Sequence, residues 1–204
     1  MLKSYTPQSD RGVFYYLDDF GGGGLDDRTW GYGGSAGGSL DKLAALAGQL
    51  RITVGSTSGN EYYLVQDTFK NYDASKFIDV SWFVKIEDVT NAAFRFGFKI
   101  DSTHLVEILS DTAISANWVS IAKDGTPQTQ VISSLAVDTN WHRLRVIGTT
   151  ASMDFFVDST LIATITTNVP SGDAGIIAYG YRNAGGSGTR SFLIDWVEAV
   201  GARA

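Results

Sequence analysis

Alternation of apolar and polar residues with a period of two runs through most of this chain and leaves little room for anything but antiparallel sheet. Phe94, Phe96, Phe98 and Ile100 alternate with Arg95, Gly97 and Lys99. Ile78, Val80, Trp82, Val84 and Ile86 alternate with Asp79, Ser81 and Lys85, and Leu50, Ile52 and Val54 with Gln49, Arg51 and Thr53. Successive side chains of a strand point to opposite faces, so each run buries one face and shows the other to water. Turn formers separate the runs: Ser56 to Gly59, Asp101-Ser102, Asp124-Gly125, Asp138-Thr139-Asn140 and Ser171-Gly172-Asp173. About a dozen strands at this spacing predict two packed antiparallel sheets. One helix is expected, over Ser39 to Gly48, with Ser39 as its N-cap and Gly48 as its stop.

A chain of 204 residues suits one domain and can bury enough surface to need no staple. With no cysteine, disulfides, thiolate metal sites and cysteine nucleophiles are excluded. The formal charge is −6 and the sixteen Lys and Arg are scattered, so neither nucleic acid nor an anionic membrane is an expected partner. Residues 1–12 are polar and contain Pro7, which reads as an arm, with the sandwich expected over 13–201. The first ten residues carry no apolar core of a signal peptide, and no eighteen-residue apolar run occurs, so neither a leader nor a membrane span is expected.

Three consecutive strand-like segments, Trp141-His142-Arg143-Leu144-Arg145-Val146, Met153 to Asp158 and Leu161 to Ile165, resemble the central strands of laminin-G-like and concanavalin A-like jelly rolls. Asp18-Asp19-Phe20, Leu25-Asp26 and Trp30 resemble the opening of such sandwiches, and Gly48-Gln49-Leu50-Arg51-Ile52 the next strand. Phe192 to Glu198 resembles the closing strand, which pairs beside the first. The resemblance spans Val13 to Val200 and implies an all-β, two-sheet antiparallel jelly-roll sandwich, whose members mostly bind ligands while some cleave glycans.

Glycosidases of that superfamily carry E-x-D-x-x-E or E-x-D-x-E on one strand, because residues two apart share a face and a retaining pair needs carboxyls ~5 Å apart. Of Glu61, Glu87, Glu107 and Glu198, none has an aspartate two residues on, so a protein without chemistry is expected. Gly33-Gly34-Ser35-Ala36-Gly37 matches the G-x-S-x-G elbow formally but lacks the parallel α/β sheet that an elbow needs. No cofactor is expected. Calcium is the one metal the residues suit, through Asp18, Asp19, Asp26, Asp27, Asp154, Asp158 and Asp195, although acidic turns capping backbone amides account for them as well.

Sugars are held by aromatic faces with amide and carboxylate hydrogen bonds. The candidates are Asn117, Trp118, Tyr179, Tyr181, Arg182 and Asn183, where Tyr179 and Tyr181 share a strand face leading into the loop Gly185 to Gly188. Trp30, Trp82, Trp141 and Trp196 are assigned to the core or to strand ends, and Arg95 and Lys99 to a solvated stripe. The expected role is a structural and binding component of a viral particle surface, in a bacteriophage, such as a decoration, fibre or receptor-binding protein. Its expected partners are other virion proteins, further copies of itself, or a cell-surface glycan. A free-standing lectin is the alternative, and a glycan hydrolase with a carboxylate pair unlike the superfamily's is the third reading.

Overall fold

The computed structural model describes residues 13–20, 25, 29–43, 48–66, 72–184 and 188–202. Among these, sixteen strands numbered in chain order form two antiparallel sheets and no helix. Across the first sheet lie β14 (Thr160–Ile165), β13 (Ser152–Val157), β12 (Trp141–Thr149), β7 (Ile78–Ile86), β16 (Arg190–Ala202), β4 (Gln49–Val54) and β3 (Ser39–Leu43), with β1 (Val13–Asp18) beside β16. Across the second lie β11 (Gln128–Ala136), β10 (Asn117–Asp124), β9 (His104–Asp111), β8 (Ala92–Lys99), β15 (Asp173–Arg182), β5 (Glu61–Val65) and β2 (Gly31–Gly34), with β6 (Tyr72–Asp73) beside β15.

The alternating runs meet between the sheets. Ile78, Val80, Trp82, Val84 and Ile86 face inward from the first sheet, and Phe94, Phe96, Phe98, Val106 and Ile108 from the second. Rings link across the gap: Trp30 lies 6.1 Å from Trp82, Trp82 6.3 Å from Phe96, and Phe96 5.1 Å edge-on from Phe192. Each such side chain, fully withdrawn from water, contributes about 1.5–3 kcal/mol, so this seam dominates the stability of the sandwich. In β16 a register shift between Ile194 and Trp196 changes the parity, which is how Ile194 and Val197 both reach the core. The closing strand pairs with the first, Asp18 opposite Val197.

The expected helix is corrected. Ser39–Leu43 is strand β3, paired with β4 through Leu40 opposite Ile52. Residues 44–47 lie outside the described residues, and Gly48, at φ 94°, turns the chain into β4. The helix-favouring composition of this stretch is outweighed by sheet pairing and by Leu40 packing on the core. The arm over residues 1–12 also lies outside the described residues.

Candidate functional site

Period two along each strand also aligns the outward side chains of the second sheet into rows that cross it. One row runs Val119, Leu109, Arg95, Tyr179 and Tyr63. The row on one side of it runs Ile121, Glu107, Gly97, Ile177 and Val65, and the row on the other side Asp111, Ala93, Tyr181 and Glu61. Glycine and alanine at the centre keep this face shallow between charged neighbours. A Cβ at Gly97 would meet the Val106 carbonyl oxygen at 2.1 Å and the Glu107 Cα at 3.0 Å, so the missing side chain lets β8 and β9 approach.

Glu107 is only 3% exposed although it points away from the core. Leu105 and Leu109 flank it on its own strand and Ile121 stands opposite, part of an apolar cluster separate from the main core. Arg95 bridges Glu107 and Asp111: Nη1 lies 3.6 Å from Glu107 Oε2, and Nη2 3.8 Å from Asp111 Oδ2. Neither contact is a hydrogen bond, and Glu107 Oε2 and Arg95 Nε have no hydrogen-bond partner. Burial outweighs the attraction of Arg95, Lys99 and Lys123 and raises the Glu107 carboxyl above its ordinary value, favouring the protonated form. Asp111, 5% exposed, differs: it accepts hydrogen bonds from the Ala113 amide and from Asn183 Nδ2, each at 2.9 Å. Across the sheet, the Tyr179 hydroxyl donates to Glu61 Oε2 at 2.7 Å, and the Arg95 guanidinium lies 5.9 Å from the Tyr179 ring centre. Burial, then that hydrogen bond, holds the Tyr179 hydroxyl above its ordinary value and so protonated.

The candidates read from the sequence divide. Tyr179, Tyr181 and Asn183 belong to this face or its rim. Trp118 is corrected: it is fully buried among the core side chains, with its ring edge-on to His142 at 5.8 Å, and presents no surface to a sugar. Arg182 is corrected likewise, being buried, with Nη1 donating to the Asn91 carbonyl at 2.6 Å. Asn117 spans two strands by donating from Nδ2 to the Ser133 carbonyl. The loop residues 185–187 lie outside the described residues.

Trp30 and Trp82 are core and Trp141 opens β12, as expected, whereas Trp196 lies inside β16; Trp141 and Trp196 stack on Phe83 on the outer face of the first sheet, at 5.1 and 5.8 Å. Glu107 and Asp111 were missed because an aspartate was sought two residues after each glutamate. The signal that finds them is their spacing of four on one strand, which puts both on one face with Arg95 beside them.

The remaining motifs are structural. His142 joins two turns: Nδ1 meets Asp158 Oδ2 at 3.0 Å and Nε2 meets Asp138 Oδ1 at 2.9 Å. Burial works against the charged ring, yet the two carboxylates prevail and raise its pKa. Asp18 accepts from Tyr16, Phe20 and Trp30, and Asp154 from Thr164. Asp26 and Asp27 lie outside the described residues, and among the described ones no three His, Asp or Glu converge as a metal site. In the G-x-S-x-G stretch, Ser35 Oγ accepts from the Glu61 amide at 3.4 Å, and both histidines are engaged with aspartates elsewhere.

No family model and no curated protein sequence matches the chain. Solved structures do. A protein of unknown function from Shewanella oneidensis MR-1 matches with a TM-score of 0.70 and 14% identity, over 98% of this chain and 91% of that one. A Bacillus licheniformis β-glucanase matches at 0.64 and 17%, over 94% and 99%. A Bacteroides ovatus mixed-linkage glucan enzyme of glycoside hydrolase family 16, seen with its product, matches at 0.66 and 11%, over 90% and 99%. These glucanases overturn the expectation that the chain is not an enzyme. That expectation rested on a missing E-x-D motif, while enzymes of glycan hydrolysis share the whole fold. The chain has a concanavalin A-like β-sandwich fold.

Proposed function

We propose that this protein acts on glycans as a hydrolase, with its site on the outer face of the second sheet. The observation that carries the reading is the convergence of Glu107 and Asp111 on Arg95, one carboxyl in apolar surroundings and the other holding hydrogen bonds. Glycosidases need two such groups, ~5–5.5 Å apart for retention and ~6.5–9.5 Å for inversion, and carboxyls bridged by one guanidinium can occupy that span. Environments that differ this way assign the roles. Glu107 gives its proton to the glycosidic oxygen as the C–O bond breaks. Asp111 takes a proton from the water that attacks the anomeric carbon. Tyr179, Tyr181 and Asn183 line the approach, and the glucanase neighbours, one of them bound to its product, support glycan as the substrate class.

The test is release of reducing ends from a panel of polysaccharides by the wild-type protein, Glu107→Gln and Asp111→Asn. The expected result is turnover lost by more than a hundredfold in both variants while each remains folded. Turnover unchanged in both variants would remove the pair from the mechanism. Display on a virion surface is the setting we propose for this activity, where glycan recognition serves attachment to a cell. Antibody labelling of intact particles tests it, and label confined to disrupted particles would count against it.

A further inference from the structure

We infer that Lys99 and Lys123 form an anion-binding subsite on the same face, taking a carboxylate or sulfate ester carried by a sugar unit. The inference rests on the glycan reading of this face and names the chemistry of its substrate. Both lysines stand in one cross-strand row, Lys123 opposite Leu105 and Leu105 opposite Lys99, roughly two strand spacings or 10 Å apart. The row continues to Gly175, which has no side chain to fill the space.

This chain carries a net charge of −6, and six cations among its described residues are held in ion pairs. Arg51, Arg95, Arg143, Arg145, Arg190 and Lys76 each hold an ion pair. Among the described residues Lys42, Lys85, Lys99 and Lys123 hold none, although Asp and Glu outnumber Lys and Arg by 22 to 16, and of these four Lys99 and Lys123 share one row. The carboxyl nearest to both in the row beside them is Glu107, buried, with an oxygen that has no hydrogen-bond partner. Glu107 sits in that neighbouring row with its carboxyl turned to Arg95, 3.6 Å away, and forms no ion pair with either lysine. Two cations beside a low-dielectric patch attract an anion more strongly than two cations in open water. Lys85 provides the contrast, since it lies on the outer face of the other sheet.

The experiment is equilibrium binding of polygalacturonate (carboxylate), dextran sulfate (sulfate ester) and mixed-linkage β-glucan (neutral) to the full chain. It compares the wild type with Lys99→Gln, Lys123→Gln and the control Lys85→Gln. The expected result is tighter binding of one anionic polymer than of the glucan. That preference should weaken about tenfold with each of the first two variants, be unmoved by Lys85→Gln, and fade with added salt. The polymer that shows the effect decides between carboxylate and sulfate. Glucan bound at least as tightly as either anionic polymer, or an equal loss with Lys85→Gln, overturns the subsite while leaving the glycan face standing. No binding of any of the three polymers overturns both.

Discussion

Replacing Arg95 by glutamine tests the electrostatics of the site without touching the fold's core. In the folded protein its guanidinium lies 3.6 Å from Glu107 and 3.8 Å from Asp111, both almost fully buried. Two unit charges at that distance interact by about 5 kcal/mol at an effective dielectric constant of about 20. The Arg95 side chain is 31% exposed, so solvent screens part of this, and about 2–3 kcal/mol is the expected loss of stability at neutral pH. The loss should shrink as pH falls and Glu107 takes up a proton. Because burial raises its folded-state pKa, the shrinkage begins above the ordinary glutamate value of about 4.3. Urea denaturation at a series of pH values measures it, and a double-mutant cycle with Glu107→Gln isolates the pair, with an expected coupling of about 2 kcal/mol at pH 7. A cost that does not vary with pH, or that is unchanged in the Glu107→Gln background, would show that Arg95 and Glu107 do not interact as a charge pair.

Further perturbations follow from the same geometry. The His142 pKa is raised in the fold, so its contribution is complete below the unfolded value of about 6.5 and is lost as pH rises through the folded one. His142→Gln should therefore cost about 1–2 kcal/mol more at pH 5.5 than at pH 9 in denaturation curves, since the half-exposed Asp138 and Asp158 screen the pairing. Gly97→Ala pushes a methyl onto the Val106 carbonyl and should cost about 3 kcal/mol, read as a lowered urea midpoint, with the Glu107 surroundings disturbed as well. Trp118→Ala opens a cavity in the core and should cost about 3–5 kcal/mol, so any loss of glycan binding in it should follow the unfolded fraction.

The fold was legible because strand alternation is written directly in residue types: Phe94, Phe96 and Phe98 could face one way only. The segment Ser39 to Gly48 misled because a cap, a run of alanines and a terminal glycine describe a helix locally. The partner strand that claims Leu40 is not visible in that window. The site was harder for a related reason. Trp118 and Arg182 looked like ligand residues by type, but whether a strand residue faces sugar or core depends on register, and theirs turns them inward. Glu107 and Asp111 lie on one strand with period two, so their shared face was readable. Their convergence was not, because it depends on Arg95 crossing from β8 and on the apolar patch that Ile121 adds from β10.

The most direct test of the central claim is amide and side-chain chemical-shift mapping of the protein titrated with an oligosaccharide that it binds. Shifts should concentrate at Arg95, Gly97, Glu107, Leu109, Asp111 and Tyr179 on the outer face of the second sheet. Shifts centred instead on Phe83, Trp141 and Trp196 would place the ligand on the opposite sheet and contradict that claim.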